Sequence, residues 1–172
     1  MGKQGSTKFY HLFDNLVKKI NWLLKMIIIL LLIIMTVTVL LQVFFRFVIK
    51  NSLPWSEELA RYIMIWLVML SAGLAFDQNS HIGVDFIVDY ITNPGFKKVV
   101  KLFSYFLIGL FCVFIISWGY RLADSVSVQK SPAMRISMFW PYLSIPVGGI
   151  IFMVQTIKLS LSTLLGEEGG ES

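Results

Sequence analysis

The 172 residues could fill one compact domain, but with 56% hydrophobic residues, 15% charged residues and a mean hydropathy of +0.74 the chain is too apolar for a soluble one, whose charged share is about 25%. Its net charge of +5 suits acidic lipid, and no basic groove interleaved with aromatics points to nucleic acid. The single cysteine, Cys112, rules out an intramolecular disulfide, a redox pair and a Cys-based zinc site, and reads as packing.

From Phe9 to Leu24, apolar residues (Phe9, Leu12, Phe13, Leu16, Val17, Ile20, Leu23, Leu24) recur at helical spacing among Lys8, Asp14, Lys18, Lys19 and Lys25. The pattern predicts an amphipathic helix lying on the membrane surface. The apolar run after it is too long for a secretory leader and ends in no small-x-small cleavage site, so it is expected to stay as an anchor.

Four intervals lack Asp, Glu, Lys, Arg and His: residues 26–45, 62–76, 102–120 and 136–157, of 20, 15, 19 and 22 residues. A hydrocarbon core of about 30 Å takes about 20 helical residues, so three of them span it directly. The short one borrows a turn back to Leu59. That draws in Arg61, which can snorkel or pair with Glu57 at i,i+4 and Glu58 at i,i+3.

After the second span, His81, Asp85 and Asp89 fall on one face of a helix over residues 82–91, too short to cross and ended by Asn93, Pro94 and Gly95. This predicts a short interfacial helix with a solvated polar face. A His with two carboxylates could in principle bind a divalent metal, but with no fourth ligand or supporting group evident the solvated face is the favoured reading, and no metal is expected. The last interval contains Trp140, Pro141, Tyr142, Pro146, Gly148 and Gly149. A kink near Pro146 is expected, as is a flat glycine patch where another helix packs closely.

The fold class is thus an all-α membrane protein with four transmembrane helices, an N-terminal amphipathic interfacial helix and a short interfacial helix between spans 2 and 3. The chain divides into an N-terminal amphipathic stretch (1–25), a four-helix membrane domain (26–158) and a C-terminal tail (159–172). Lysine and arginine set the orientation: nine lie on the side shared by the termini and the loop between spans 2 and 3, against six on the other. Both termini are therefore expected in the cytoplasm.

Nothing in these spans carries chemistry of its own. Intramembrane ionisable groups mark ion sites, proton relays and substrate counter-charges, and the four intervals hold none. No activated nucleophile, acid pair or metal cluster suggests an enzyme, and no cofactor is expected: His11 and His81 lie outside the spans, where they cannot hold a haem. The residues read as a helical scaffold that needs a partner.

One family gathers these features. The run from Gln42 through Trp55, Glu57, Glu58 and Arg61 to His81-Ile82-Gly83-Val84-Asp85 resembles the DctQ-like small membrane subunit of tripartite ATP-independent periplasmic (TRAP) transporters. The later run Ser131-Pro132-Ala133-Met134-Arg135-Ile136, with Trp140, Tyr142, Ile145-Pro146 and Gly148, resembles that family's final loop and last span. The resemblance implies a scaffold subunit of a sodium-driven, binding-protein-dependent importer of an organic acid such as sialic acid or a C4-dicarboxylate, located in the bacterial inner membrane. The implied partners are a large TRAP membrane subunit, a periplasmic substrate-binding protein and membrane lipid. Trp55, Glu57, Glu58 and Arg61 become an outward structural cluster, His81 and Asp85 the polar end of the cytoplasmic turn, and Pro146, Gly148 and Gly149 a packing interface. Lys130 and Arg135 become candidates for docking the binding protein. Two rivals remain at this level: a small homodimeric exporter, which would be expected to carry a carboxylate in its first span, and the membrane anchor of a respiratory complex, which haem absorbance would reveal.

Overall fold

The computed structural model describes residues 2–88 and 94–165, with side chains described for 13–76 and 95–164. It contains α1 (Gly2–Phe44), a π-helical turn (Phe45–Ile49), α2 (Pro54–Val88), α3 (Pro94–Ser125), α4 (Phe139–Tyr142) and α5 (Ser144–Leu165). Helix is what these sequences must form in hydrocarbon, where every backbone N–H and C=O has to be satisfied within its own segment. Four stretches are long and apolar enough to cross a membrane: Phe13–Ile49, Pro54–Phe76, Gly95–Ser125 and Phe139–Leu164.

The helix ends follow local chemistry. The π-helical turn ends at Lys50, whose positive φ of 56° turns the chain, and the amide of Asn51 donates back to the Phe45 carbonyl at 3.1 Å. Pro54 and Pro94 open α2 and α3, where a proline ring forfeits no helical hydrogen bond. In the last span the break falls at Leu143, one turn before Pro146, between α4 and α5. Pro146 then sits in the first turn of α5, where its missing N–H costs nothing, and it crowds the carbonyl of Tyr142 just outside the helix.

Two segments expected as separate helices are continuous with spans. The N-terminal stretch and the first span form the single helix α1, and α2 runs unbroken through Ile82 to Val88. The remaining residues of the expected 82–91 helix, 89–91, lie outside the described residues. No breaker stands between the segments: residues 77–81 contain neither Gly nor Pro, and neither do residues 20–30. Helix also crosses the 25/26 and 158/159 boundaries without a break.

The helices are arranged as a bent row, not a closed bundle. Neighbours run α1, α2, α5, α3, so that the last span sits between the second and third, and among the described residues α1 does not touch α3. Glycines let α5 hold this central place. A Cβ added at Gly148 would lie 3.0 Å from Met69 Cβ and 3.2 Å from the Met69 carbonyl oxygen. One at Gly149 would lie 2.9 Å from Ile116 Cγ1, and one at Gly73 2.6 Å from Ile151 Cγ2. Gly148 thus faces α2 and Gly149 faces α3, the close backbone approach by which membrane helices associate.

Gly109 is the contrast, with nothing within 4 Å of an added Cβ. Gly109→Ala is expected to stabilise the protein by about 0.5–1 kcal/mol through helix propensity alone, read as a higher thermal midpoint in detergent.

Between α2 and α3, with α5 as floor, lies a cavity of about 170 Å³ lined by Met69, Ala72, Phe111, Cys112, Ile115, Gly148, Gly149 and Phe152. Its lining is apolar. Cys112 is buried there as a free thiol.

Candidate functional site: the loop end and the termini end

Polar contacts concentrate at the two ends of the row. At the end opposite the termini, α2 begins with Pro54, an exposed Trp55 and a fully buried Ser56, whose hydroxyl donates to the Leu53 carbonyl at 2.7 Å. Glu57 and Glu58 follow, a hundred degrees apart on the helix, and they do different things. Glu57 accepts from Arg61 Nη2 at 3.5 Å with both side chains more than half exposed. Glu58 points toward the connection between α3 and α4. Its Oε1 accepts the amide of Ala133 at 3.0 Å and its Oε2 the amide of Met134 at 2.9 Å.

That connection is shaped to offer those amides. The Ser131 amide donates to the Ile136 carbonyl at 2.8 Å, the Arg135 amide to the Ser131 carbonyl at 3.2 Å, and the Met138 amide to the Gln129 carbonyl at 2.9 Å. Arg135 closes the turn in the left-handed region at φ 57°. The buried Ser131 hydroxyl accepts the Ile136 amide at 3.3 Å, and the Ser137 hydroxyl donates to the Ser127 carbonyl at 2.6 Å. Tyr62, one turn beyond Glu58 on α2, adds a contact from its hydroxyl to Met138 Sδ at 3.6 Å. The result is a clamp in which the Glu58 carboxylate holds residues 131–136 against the start of α2. Lys130 and Arg135 flank the clamped turn with exposed side chains.

The sequence pattern groups Glu57, Glu58 and Arg61 as one ion-pair cluster, and the structure divides them. Arg61 takes Glu57, while Glu58 binds backbone some 75 residues away. Ser131, Ala133 and Met134 are parts of the site that helical spacing could not locate. Apart from the family resemblance of residues 131–136, the local signal was a Ser-Pro turn in a polar stretch between two apolar intervals.

At the termini end, α1 is fastened to α5. Asp14 meets Lys158 at 3.2 Å and Lys18 at 3.0 Å, and the buried Gln155 donates from Nε2 to Asn21 Oδ1 at 2.6 Å. The Lys98 ammonium donates to the Leu164 carbonyl at 3.0 Å, tying α3 to α5. Val17, Asn21 and Leu24 are buried on the same face of α1. This segment is therefore docked on one side rather than lying free on a surface. The helical backbone of α2 carries His81 and Asp85, whose side chains lie outside the described residues.

Together these features define a small integral membrane protein with four membrane-spanning helices, polar contacts at both ends and an apolar cavity at mid-depth. A profile of the family described as tripartite ATP-independent periplasmic transporters, DctQ component, matches residues 35–166. The chain belongs to that family, a transporter permease subunit and not an enzyme.

Among similar proteins, one assigned as a TRAP transporter small permease in Haemophilus influenzae is 27% identical over 84% of this chain and 89% of its own length. The sialic acid TRAP transporter small permease SiaQ of Vibrio cholerae is 26% identical over 68% of this chain and 67% of its own. The sialic acid TRAP transporter permease SiaT of Haemophilus influenzae is 29% identical over 68% of this chain, and the matched segment makes up only 19% of that protein.

Proposed function

We propose that this chain is the scaffold subunit of a tripartite, sodium-driven importer of an organic acid in the bacterial inner membrane, with both termini in the cytoplasm. It braces a large permease subunit that carries the solute and the sodium. One observation carries this reading: the four intervals at membrane depth contain no ionisable residue, and the ion pairs described, Asp14 with Lys158 and Lys18 and Glu57 with Arg61, sit toward the ends of the helices. An organic anion crossing hydrocarbon needs a counter-charge or a polar path, and this chain's mid-depth cavity is lined by apolar groups. The likeness to SiaT supports the pairing, because there a segment like this chain is one-fifth of a much longer permease. Sialic acid, C4-dicarboxylate and isethionate are among the solutes that relatives name.

The clamped turn gives the outer end a fixed shape. On this reading Lys130 and Arg135 present two cations to the periplasmic binding protein from a loop that Glu58 holds still. Such rim charges act chiefly on encounter rate.

Proteoliposomes containing this chain, the large subunit, or both, supplied with binding protein and a sodium gradient, test the reading. Uptake of sialic acid or a C4-dicarboxylate is expected with both subunits and absent with this chain alone. Accumulation by this chain alone overturns the proposal.

A further inference from the structure

We propose that the exposed surface of α1 away from its contact with α5, built from Leu16, Lys19, Trp22 and Leu23 with Lys25 on its flank, is a binding surface for the headgroups of acidic phospholipids. Its geometry follows from the docked face. Asp14 and Asn21 meet α5, and Val17 and Leu24 are buried on the same side; across the helix from them stand Leu16, Trp22 and Leu23, exposed by 54%, 62% and 55%, with Lys19 among them, while Lys25 is exposed on the flank, one turn beyond Asn21.

Neither water nor hydrocarbon suits this mixture. Three large apolar side chains close together are costly to leave in water, while ammonium groups set among them are costly at the bilayer centre. The boundary between the two accommodates both: leucines reach the acyl region, an indole sits at headgroup level, and lysines snorkel to phosphate. Helix length points to the same place. The 43 residues of α1 rise about 65 Å, against about 40–45 Å for a whole bilayer with its headgroups, so the helix extends past the hydrocarbon at one end.

Charge selects the lipid class. The acid on this part of α1, Asp14, faces the bundle and is engaged by Lys158 and Lys18, so the exposed surface carries the positive charge of Lys19 and, on its flank, Lys25. A phosphate with a net negative headgroup complements Lys19 and Lys25, whereas a zwitterionic headgroup brings its own cation against them. The large permease subunit is the competing occupant. A protein surface covering this face would have to supply carboxylates to two lysines at the very depth where lipid phosphates are already present.

The full-length chain in mixed micelles with equal amounts of phosphatidylglycerol and phosphatidylcholine provides the test, with retained lipid counted by native mass spectrometry. The parent is expected to enrich phosphatidylglycerol by at least about fivefold, the factor one lysine near an acidic surface supplies. Lys19→Gln/Lys25→Gln should abolish the enrichment, and Trp22→Ala should lower the total lipid retained. The Lys19, Trp22 and Lys25 side chains are exposed, so helical content and melting should stay at parent values, which separates lipid binding from folding. Lys97→Gln/Lys98→Gln removes the same charge from α3 and should leave the enrichment in place. No enrichment in the parent, enrichment surviving in Lys19→Gln/Lys25→Gln, or equal loss in the α3 variant each overturns the proposal. A photoreactive group at position 22 that labels the large subunit in preference to lipid does so as well. The test involves neither transport nor the large subunit's solute, so it can fail while the scaffold reading stands.

Discussion

Gly148→Leu is expected to lower the stability of the protein by the upper part of the overpacking range, about 3 kcal/mol, and to pull α5 away from α2. The added Cβ alone meets Met69 Cβ at 3.0 Å and the Met69 carbonyl oxygen at 3.2 Å, and neither can rotate aside. Because α5 sits between α2 and α3, the displacement reaches three of the four spans. Gly149→Ala is the graded comparison. Its added methyl meets side-chain atoms rather than fixed backbone, Ile116 Cγ1 at 2.9 Å and Ile115 Cγ2 at 3.1 Å, and it adds one carbon where leucine adds four, so its loss should be under half as large. Thermal unfolding followed by circular dichroism in detergent orders the two. A Gly148→Leu protein that melts with the parent would show that Gly148 does not pack against Met69.

Glu58→Ala is expected to release the turn at 131–136. Two backbone amides lose a charged acceptor, and the positive-φ residue Arg135 loses the contact that holds its turn against α2. Trypsin, which cuts after Lys130 and Arg135, reports this directly: cleavage should be slow in the parent, fast in Glu58→Ala and intermediate in Glu58→Gln, which keeps one carbonyl oxygen. Glu57→Ala and Arg61→Ala should be cut at parent rates, since their exposed pair contributes only about 0–1 kcal/mol. If Lys130 and Arg135 dock the binding protein, Glu58→Ala and Lys130→Glu/Arg135→Glu should both slow uptake when that protein is scarce, and saturating amounts should restore it. Faster cleavage with unchanged uptake keeps the clamp and removes the docking role.

The two experiments probe features of different legibility. Gly148 and Gly149 stand out in the sequence as small residues in a span, and a packing role follows from chemistry alone; which helix each would meet does not. Glu58 stands out as a charge at a span boundary beside Arg61, and i,i+3 spacing makes that pairing the natural expectation. The structure gives Glu58 a backbone partner instead, because two amides in a tight turn offer a carboxylate better-aligned donors than one exposed guanidinium already shared with Glu57. The N-terminal stretch shows the same division. Its amphipathic pattern is plain, yet the pattern could not say that Asp14 and Asn21 meet α5, that Val17 and Leu24 are buried beside them, and that Leu16, Trp22 and Leu23 stay exposed.

Composition and the spacing of charges were enough, without any coordinates, to establish a four-span helical membrane protein whose charged side chains lie outside four long apolar intervals. Those properties are local, since hydrocarbon forces a backbone to bond within its own helix and makes each buried charge costly wherever it lies. The order of the helices, the clamp on residues 131–136 and the face of α1 that is left open were decided only by the tertiary structure. Lipid tails are as apolar as leucine, so an apolar pattern does not reveal which face meets a neighbouring helix; close fit between particular backbones and side chains does.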